Sequence, residues 1–170
     1  MRNKAVSLRG AVEDDLAGLL DIQKEAFARY TDHLSPEQIP PLNETLDDMS
    51  REMTYKSIMA AYVDGSPAGS VRYHIKGGVC IIERLSVKPD LQGAGIGRSL
   101  IAAVETLVEG KAHKLYLETG LLAGDLLQFY SKLDYSGEAI LRSHYGGFDW
   151  IVFSKFIRMD RKTTMMEVHT

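Results

Sequence analysis

The sequence predicts a mixed α/β fold (α+β in some schemes), with a central sheet of about seven mostly antiparallel strands and helices on both faces. Tight-turn signals join the early strand-like segments, which indicates antiparallel neighbours. A strand–helix–strand unit from Val79 to Leu117 needs a crossover connection and therefore predicts a parallel pair. The 170 residues fit one domain, which we place at 1–157, followed by a polar tail at 158–170.

The first elements follow from apolar spacing and from prolines. Ala5–Arg9 predicts a strand, and Asp14 and Asp15 open a helix because acidic residues favour a helix N-terminus. Prolines within Ser35–Pro41 predict a loop, and a polar helix is predicted at Asn43–Met53. The apolar stripe of the first helix comprises Leu16, Leu19, Leu20 and Phe27.

Strands and tight turns alternate in the middle of the chain. Ile58–Val63 predicts a strand that Asp64-Gly65 closes as a hairpin turn, and Ala68–Ile75 is the returning strand. Lys76-Gly77-Gly78 marks the next turn, after which Val79–Val87 predicts a long strand.

The later elements return to helical spacing. A helix is predicted from Ile96 to near Gly110, followed by a buried strand at Leu115–Leu117. Two late strands are predicted at Glu138–Leu141 and Phe148–Phe156. Between them and the buried strand, a helical stripe comprises Leu126, Tyr130 and Leu133.

Charge and cysteine content exclude several classes of protein. A formal net charge of −3 gives no basic field for nucleic acid or an anionic membrane, so we expect neither partner. The single cysteine, Cys80, excludes an internal disulfide, and its apolar neighbours indicate a buried hydrophobic residue rather than a reactive thiol. No cluster has metal-ligand spacing, so no metal is expected. No apolar run of ~18 residues and no signal peptide is found, so we expect a cytoplasmic protein.

The stretch VKPDLQGAGIGRSL, residues 87–100, places three glycines at alternate positions before a helical pattern. It lacks the Gly-Lys-Ser/Thr of a P-loop and the third glycine of a Rossmann motif, although Glu118 stands near the expected ribose-binding acid. Successive N–H groups at the start of a helix bind phosphate through geometry and the helix dipole. We therefore predict a diphosphate site, and a glycine-rich helix entry with no ligand is the alternative.

Two segments resemble a known family. IERLSVKPDLQGAGIGRSLI, residues 82–101, resembles the acetyl-coenzyme A signature of the GNAT superfamily of N-acetyltransferases, in which Gln/Arg-x-x-Gly-x-Gly/Ala follows a strand ending in Leu-x-Val-x-Pro. FYSKLDY, residues 129–135, resembles a second family segment, and the resemblance extends over Ala5–Lys155. Three positions depart from the family pattern but leave Tyr130 in register: Ala123, Leu126 and Asp134.

The resemblance implies a GNAT fold and acetyl transfer from acetyl-coenzyme A, as co-substrate, to a primary amine of a small molecule, peptide or protein. It also implies that one strand pairs with the pantetheine arm and that the glycine loop holds the diphosphate. The expected coenzyme-binding residues are Leu85, Ser86, Val87, Gln92, Gly93, Ala94, Gly95, Ile96, Gly97, Arg98 and Ser99. A non-catalytic acetyl-coenzyme A sensor and an acyltransferase for longer acyl chains are the alternatives.

Tyr130 and Glu83 are the expected catalytic residues. Tyr130 corresponds to the family tyrosine that protonates the leaving sulfur, although helix packing also accounts for its spacing. Strand alternation places Glu83 in an apolar row, which indicates a general base or an ion pair with a cation such as Arg72. The resemblance places a bulge in this strand, which shifts the alternation beyond Glu83, and makes the Leu85 N–H the expected oxyanion donor.

The acceptor amine has no sequence motif of its own. His74, His144 or a water relay are alternative bases, although a lone histidine is more often structural. Ser35–Glu44 and His144–Asp149 are expected to flank the amine. Acidic residues that either recognise a cation or face solvent are Asp32, Glu37 and Glu44. Aromatic residues expected to pack the sheet or a homodimer contact are Phe148 and Trp150.

Overall fold

Seven strands form one sheet within residues 6–157, the part of the chain that the structure, a computed structural model, describes. The strands are β1 Val6–Gly10, β2 Ser57–Val63, β3 Ser66–Lys76, β4 Val79–Val87, β5 Lys114–Gly120, β6 Ser136–Leu141 and β7 Trp150–Phe156. Their order across the sheet is β1-β2-β3-β4-β5-β7-β6. β1 with β2, β2 with β3, β5 with β7 and β6 with β7 are antiparallel, whereas β4 and β5 are parallel. The predicted mixed, mostly antiparallel sheet is therefore confirmed.

The helices within these residues are α1 Leu16–Phe27, α2 Pro40–Asn43, α3 Leu46–Glu52, α4 Ile96–Val108 and α5 Gly124–Ser131. A 3₁₀ turn at Glu13–Asp15 precedes α1, which therefore begins just after the two acidic residues predicted to open it. The loop predicted at Ser35–Pro41 instead contains a 3₁₀ turn and the start of α2. Proline is tolerated in a first helical turn because the N–H there has no helical acceptor. Ala5 and the tail at 158–170 lie outside the described residues.

α3 begins later than the predicted Asn43 because Thr45 caps it. The Asp48 N–H donates to Thr45 Oγ1 over 3.1 Å, and the Thr45 N–H donates to the Asp48 carboxylate over 3.0 Å. This reciprocal capping box satisfies two N–H groups that have no partner inside the helix. Glu44, just before the cap, therefore has extended backbone rather than the predicted helical conformation.

The described chain divides into two compact units. The first contains the residues up to Tyr73 together with Arg84–Val104, and the second contains His74–Glu83 and the residues from Glu105 onward. In the first unit, α1 and α3 cover β2. The buried cluster that joins them comprises Leu16, Leu19, Leu20, Met49, Ile58, Ala60 and Tyr62.

The sheet of the second unit has two distinct faces. Tyr116 of β5 packs with Val79 and Val152 on one face. Leu117 and its register partner Phe153 lie on the other face, because neighbouring residues of a strand alternate and directly paired residues share a face. These two faces carry different chemical groups, as described below.

β4 changes its backbone geometry part of the way along. Its pairing with β5 runs from Val79 to Ile82, although β4 itself continues to Val87. Arg84 has a φ of 56°, in the left-handed region that a non-glycine residue seldom adopts. This left-handed residue lies directly after Glu83, where the resemblance predicts a bulge.

Candidate active site

A short loop joins β4 to α4 and contains two of the three clustered glycines, whereas the third, Gly97, lies in the first turn of α4. The Gln92 side-chain amide donates to the Val87 carbonyl oxygen over 3.0 Å, which ties the loop to the end of β4. Gly93 and Gly95 have φ values of 80° and 84°, which other residues adopt only with strain. The backbone conformation of the loop therefore favours glycine at both positions.

The same loop leaves open space at the start of α4. A Cβ placed on Gly93 or Gly95 would meet no heavy atom within 4 Å, and both residues are exposed. The first N–H groups of a helix have no preceding helical carbonyl, and the first backbone bond at this end runs from the Ser99 N–H to the Gly95 oxygen over 3.0 Å. A phosphate group fits this arrangement, because small side chains admit it and α4 contributes the positive end of a 13-residue helix.

The segment Leu85–Val87 lies just before this loop, beyond the end of the β5 pairing at Ile82. β3 approaches the other side of the segment very closely. A Cβ on Gly69 would lie 2.5 Å from the Ser86 carbonyl oxygen and 3.2 Å from Val87 Cα. The end of β4 is therefore an extended strand held against β3, which suits the addition of an extended ligand as a further strand.

Tyr130 lies in α5, in the second unit, and its side chain is buried. Its ring contacts Phe129 edge-on at a centroid distance of 5.0 Å, and Tyr135 and Phe153 at 5.9 Å. Asp134 has a φ of 66° at the position where the family usually has glycine, a conformation that Asp tolerates better than most residues. Asp134 therefore adopts the backbone conformation that favours glycine, and its departure from the family pattern leaves α5 and Tyr130 intact.

Glu83 also belongs to the second unit and is half-buried. Alternation from Ile81 places Glu83 on the face of the sheet that carries Tyr116. Tyr130 packs on Phe153, which belongs to the opposite face. The expected acid and base thus lie on opposite faces of this unit's sheet.

Arg72 forms a buried charge cluster that the sequence analysis did not identify. Its guanidinium is 1% exposed and donates to Glu44, to Glu52 over 2.8 Å and to Gln23 over 3.0 Å. Arg72 is therefore paired with carboxylates of the first unit. Glu44 is buried, so its predicted solvent exposure is wrong.

Electrostatics explain why these charges remain buried. Burial disfavours the charged form of Arg72, but the hydrogen bonds and charges of Glu44 and Glu52 together outweigh it, so the pKa of Arg72 is raised. Burial acts against Glu52 in the same way, but hydrogen bonds from Lys56 and Arg72 lower the pKa of that carboxyl group. An arginine in the interior of a predicted strand was the available signal, because such a charge needs a partner if it is buried.

A second cluster surrounds Glu118 on β5. The Tyr116 hydroxyl donates to Glu118 Oε1 over 2.5 Å, and His144 Nε2 lies 3.2 Å from Glu118 Oε2. Burial, reinforced by the hydrogen bond to Glu118, raises the pKa of Tyr116. His144 is one of the alternative bases predicted above, whereas the sequence had suggested Glu118 only as a ribose-binding acid. The spacing of Tyr116 and Glu118, two residues apart on a strand, was the signal for a shared face.

Other sequence expectations concern single residues and absences. Cys80 is buried as predicted, and burial raises the pKa of its thiol to about 12. Within residues 6–157 no group of three or more His, Cys, Asp or Glu side chains is placed to hold a metal ion. No helix in that same range has the length and apolar character needed to cross a membrane.

Comparison with known proteins places this geometry in a family. Residues 17–135 match the model described as "Acetyltransferase (GNAT) family". The fold is similar to that of the PaiA N-acetyltransferase from Thermoplasma acidophilum in complex with coenzyme A, with a TM-score of 0.78, 18% identity, and coverage of 89% of this chain and 99% of that chain. No curated protein sequence matches the chain significantly.

Two further solved structures share the fold. The ribosomal-protein-S18-alanine N-acetyltransferase from Escherichia coli has a TM-score of 0.76 and 18% identity, with 94% of this chain and 98% of that chain covered. A spermidine N-acetyltransferase chimera from Vibrio cholerae and hSSAT has a TM-score of 0.72 and 17% identity, with 89% and 95% covered. The family match spans more than half of the chain and includes both segments on which the resemblance depends. The chain therefore belongs to the GNAT family of acetyltransferases.

Proposed function

We propose that this chain is an N-acetyltransferase that moves an acetyl group from acetyl-coenzyme A to a primary amine of a small molecule, peptide or protein. The observation that carries the proposal is the Gln92–Ser99 segment. Its glycines leave open space beside the backbone at the start of a 13-residue helix. The coenzyme A bound to one fold relative supports the donor. The relatives named for spermidine and for a ribosomal-protein alanine support an amine acceptor.

The coenzyme would be held mainly by backbone groups. The diphosphate would accept hydrogen bonds from the N–H groups of Gly93–Ser99, favoured by the dipole of α4. The pantetheine arm would pair with Leu85, Ser86 and Val87 as an added strand. The full set of proposed coenzyme-binding residues is Leu85, Ser86, Val87, Gln92, Gly93, Ala94, Gly95, Ile96, Gly97, Arg98 and Ser99.

Bound acetyl-coenzyme A supplies the acetyl group: the amine nitrogen bonds to the acetyl carbon, the carbon–sulfur bond breaks and a thiol leaves. A lysine-like amine, with a pKa of ~10.4, must first lose a proton, which costs about 4.6 kcal/mol at pH 7. Glu83 would accept this proton, directly or through water. Tyr130 would donate a proton to the leaving sulfur, and the Leu85 N–H would stabilise the negative charge on the carbonyl oxygen.

The placement of Glu83 and Tyr130 on opposite faces of the second unit's sheet supports these roles. An attacking amine and a leaving thiolate occupy different sides of the carbonyl carbon. One needs a base and the other needs an acid. A base on one face and an acid on the other can therefore serve the amine and the thiolate without passing a proton directly between them.

A calorimetric titration with acetyl-coenzyme A, followed by an assay of free thiol with a panel of amines, tests the proposal. Gly95→Glu should weaken coenzyme binding by about tenfold or more, because its side chain enters the phosphate space and brings a negative charge there. Gly77→Glu is the matched control. Gly77 has a φ of 58° and open space at its Cβ, but lies in the turn between β3 and β4.

The results separate the alternatives. Saturable binding with amine-dependent thiol release supports the proposed transferase. Binding without thiol release for any amine would indicate a sensor, and faster release from a longer acyl donor would indicate a different acyltransferase. The proposal is overturned if no heat is measured with the wild-type protein, or if Gly95→Glu binds the coenzyme as well as Gly77→Glu does.

A further inference from the structure

Tyr116 and His144 contact the Glu118 carboxylate on one face of the second unit, and two further aromatic side chains pack against His144. This aromatic–carboxylate cluster comprises Tyr116, Glu118, His144, Tyr145 and Trp150. Tyr116 and Glu118 come from β5, whereas the other members come from the β6–β7 connection and the start of β7. Trp150 pairs with Gly120, two positions beyond Glu118, so it lies on the same face.

Three of the rings pack against one another at steep angles. His144 lies 4.3 Å from Tyr145 and 6.5 Å from Trp150, measured between ring centroids, and Tyr145 lies 5.8 Å from Trp150. All three contacts are edge-to-face, so the ring planes point in different directions. Tyr145 is 54% exposed and Trp150 is half-buried, so this rim is open to solvent.

The connection that carries these rings is held in a defined shape. The Asp149 carboxylate pairs with Arg142 and accepts the Ser143 N–H over 3.0 Å. The His144 N–H donates to the Phe148 carbonyl oxygen over 2.8 Å. These bonds close the connection and pre-position its rings, which lowers the entropy cost of binding a ligand there.

Both oxygens of the Glu118 carboxyl group have a partner within the cluster. The Tyr116 hydroxyl donates to Oε1, and His144 Nε2 lies within hydrogen-bond distance of Oε2. The raised pKa of Tyr116 keeps its hydroxyl protonated and able to donate. The Glu118 carboxyl group therefore lies beside an aromatic cluster, on the face of the sheet that also carries Glu83.

The surrounding charges favour a ligand with one positive charge. Asp149 is paired with Arg142, and Glu138 of β6 is paired with Lys114 of β5 over 2.7 Å. These two carboxylates are therefore already neutralised and do not offer separate sites for the several cations of a polyamine. Aromatic faces and a carboxylate together suit an ammonium group attached to a flat apolar body.

We propose that the aromatic–carboxylate cluster binds the acceptor, an amine whose single positive charge is attached to an aromatic group. This inference rests on the proposed function, because it names the substrate class of that reaction. The ammonium group lies toward Glu118, and the ring of the acceptor packs on Tyr145 and Trp150. Release of the ammonium proton to a base such as Glu83 then leaves the free amine at the same face.

Steady-state assays with three amines test this specificity. With saturating acetyl-coenzyme A, the KM for 2-phenylethylamine should be about tenfold lower than the KM for butylamine or for spermidine. Tyr145→Ala should raise the KM for 2-phenylethylamine severalfold, with a smaller increase for Tyr145→Phe, which keeps the ring. Tyr55→Ala, at an exposed tyrosine of the first unit, is the matched control and should leave KM unchanged.

A binding assay separates this inference from the proposed function. Trp150 is the single tryptophan of the sequence, so intrinsic fluorescence reports directly on the cluster. With coenzyme A present, 2-phenylethylamine should change this fluorescence saturably, and Tyr145→Ala should weaken the apparent Kd. Saturable binding without thiol release would leave the cluster assignment intact and overturn the transferase. Turnover without a saturable change in fluorescence, with a preference for spermidine, or with the same KM in Tyr145→Ala, would overturn the cluster assignment alone.

Discussion

The backbone of Gly69 lies so close to that of Ser86 that a Cβ on residue 69 would stand 2.5 Å from the Ser86 carbonyl oxygen. No real Cβ contact is that short, so any side chain at residue 69 must push β3 away from the end of β4. The segment displaced would be Leu85–Val87, which we propose as the pantetheine-binding strand. A side chain at residue 69 would therefore disturb both the packing of β3 against β4 and the proposed binding of the coenzyme.

Gly69→Ala should destabilise the protein by about 1–3 kcal/mol, the usual range for overpacking a closely packed site. Its affinity for acetyl-coenzyme A should also fall, as calorimetry can measure under conditions where the variant is folded. Gly18→Ala is the control, because its Cβ would meet only the Pro67 side chain at an ordinary 3.7 Å. Alanine within α1 should raise stability by up to about 1 kcal/mol. Equal denaturation midpoints for the two variants would contradict the close approach.

Arg72→Met should destabilise the protein by about 3–5 kcal/mol, because it leaves Glu44 buried without its main cationic partner. The guanidinium also donates to Gln23 and Glu52, so three acceptors lose a donor at once. Chemical denaturation measures the effect. Arg51→Met is the control, since Arg51 is exposed, and its ion pair with Asp48 over 3.3 Å should contribute at most ~1 kcal/mol.

Glu52 should make the protein more stable at neutral than at acidic pH. Its folded-state pKa is lowered by hydrogen bonds from Lys56 and Arg72, which outweigh its burial. Its contribution is therefore complete above its unfolded pKa of ~4.3 and is lost as the pH falls through the lower folded value. Denaturation midpoints of Glu52→Gln and wild type should differ at pH 7 and converge on acidification. Glu25→Gln, at an exposed position, should show no such convergence.

The extent to which the site could be predicted depends on how local each interaction is. The glycine loop is defined within a few residues, since its positive φ angles and the start of α4 adjoin in sequence. Arg72, by contrast, binds side chains 49, 28 and 20 positions away. The sequence suggested Arg72 only as a possible partner of Glu83, because strand periodicity cannot identify which distant residues the fold brings to a side chain.

Distance in the sequence also explains why the pairing of His144 with Glu118 was not predicted. The start of α3 is a different case. His144 and Glu118 are 26 positions apart, so only the register of β5, β7 and β6 brings them together. The start of α3 was readable in principle, because the Thr45 cap and Asp48 form a local motif. The predicted start at Asn43 instead lay two residues before that cap.

Tyr130→Phe should lower amine-dependent thiol release by about 10²-fold, because phenylalanine keeps the ring packing but removes the proton donor. The affinity for acetyl-coenzyme A should stay near that of the wild type. Tyr135→Phe is the matched control, since it removes a neighbouring buried hydroxyl that donates to Glu105 over 3.0 Å. If Tyr130→Phe retains wild-type turnover, or if both variants lose activity equally, the tyrosine serves only to pack α5.

Glu83→Gln should lower kcat by about 10²-fold at pH 7, because the amide cannot accept the proton of the amine. The defect should shrink as the pH rises toward the pKa of the acceptor, ~10.4 for a lysine-like amine, since a free amine needs no base. A pH–rate profile of the variant against the wild type measures this convergence. Glu109→Gln removes an exposed carboxylate of the second unit and should follow the wild-type profile at every pH. A defect of constant size across the pH range would assign Glu83 a structural role and direct the search for the base to His144, which Glu118 already orients.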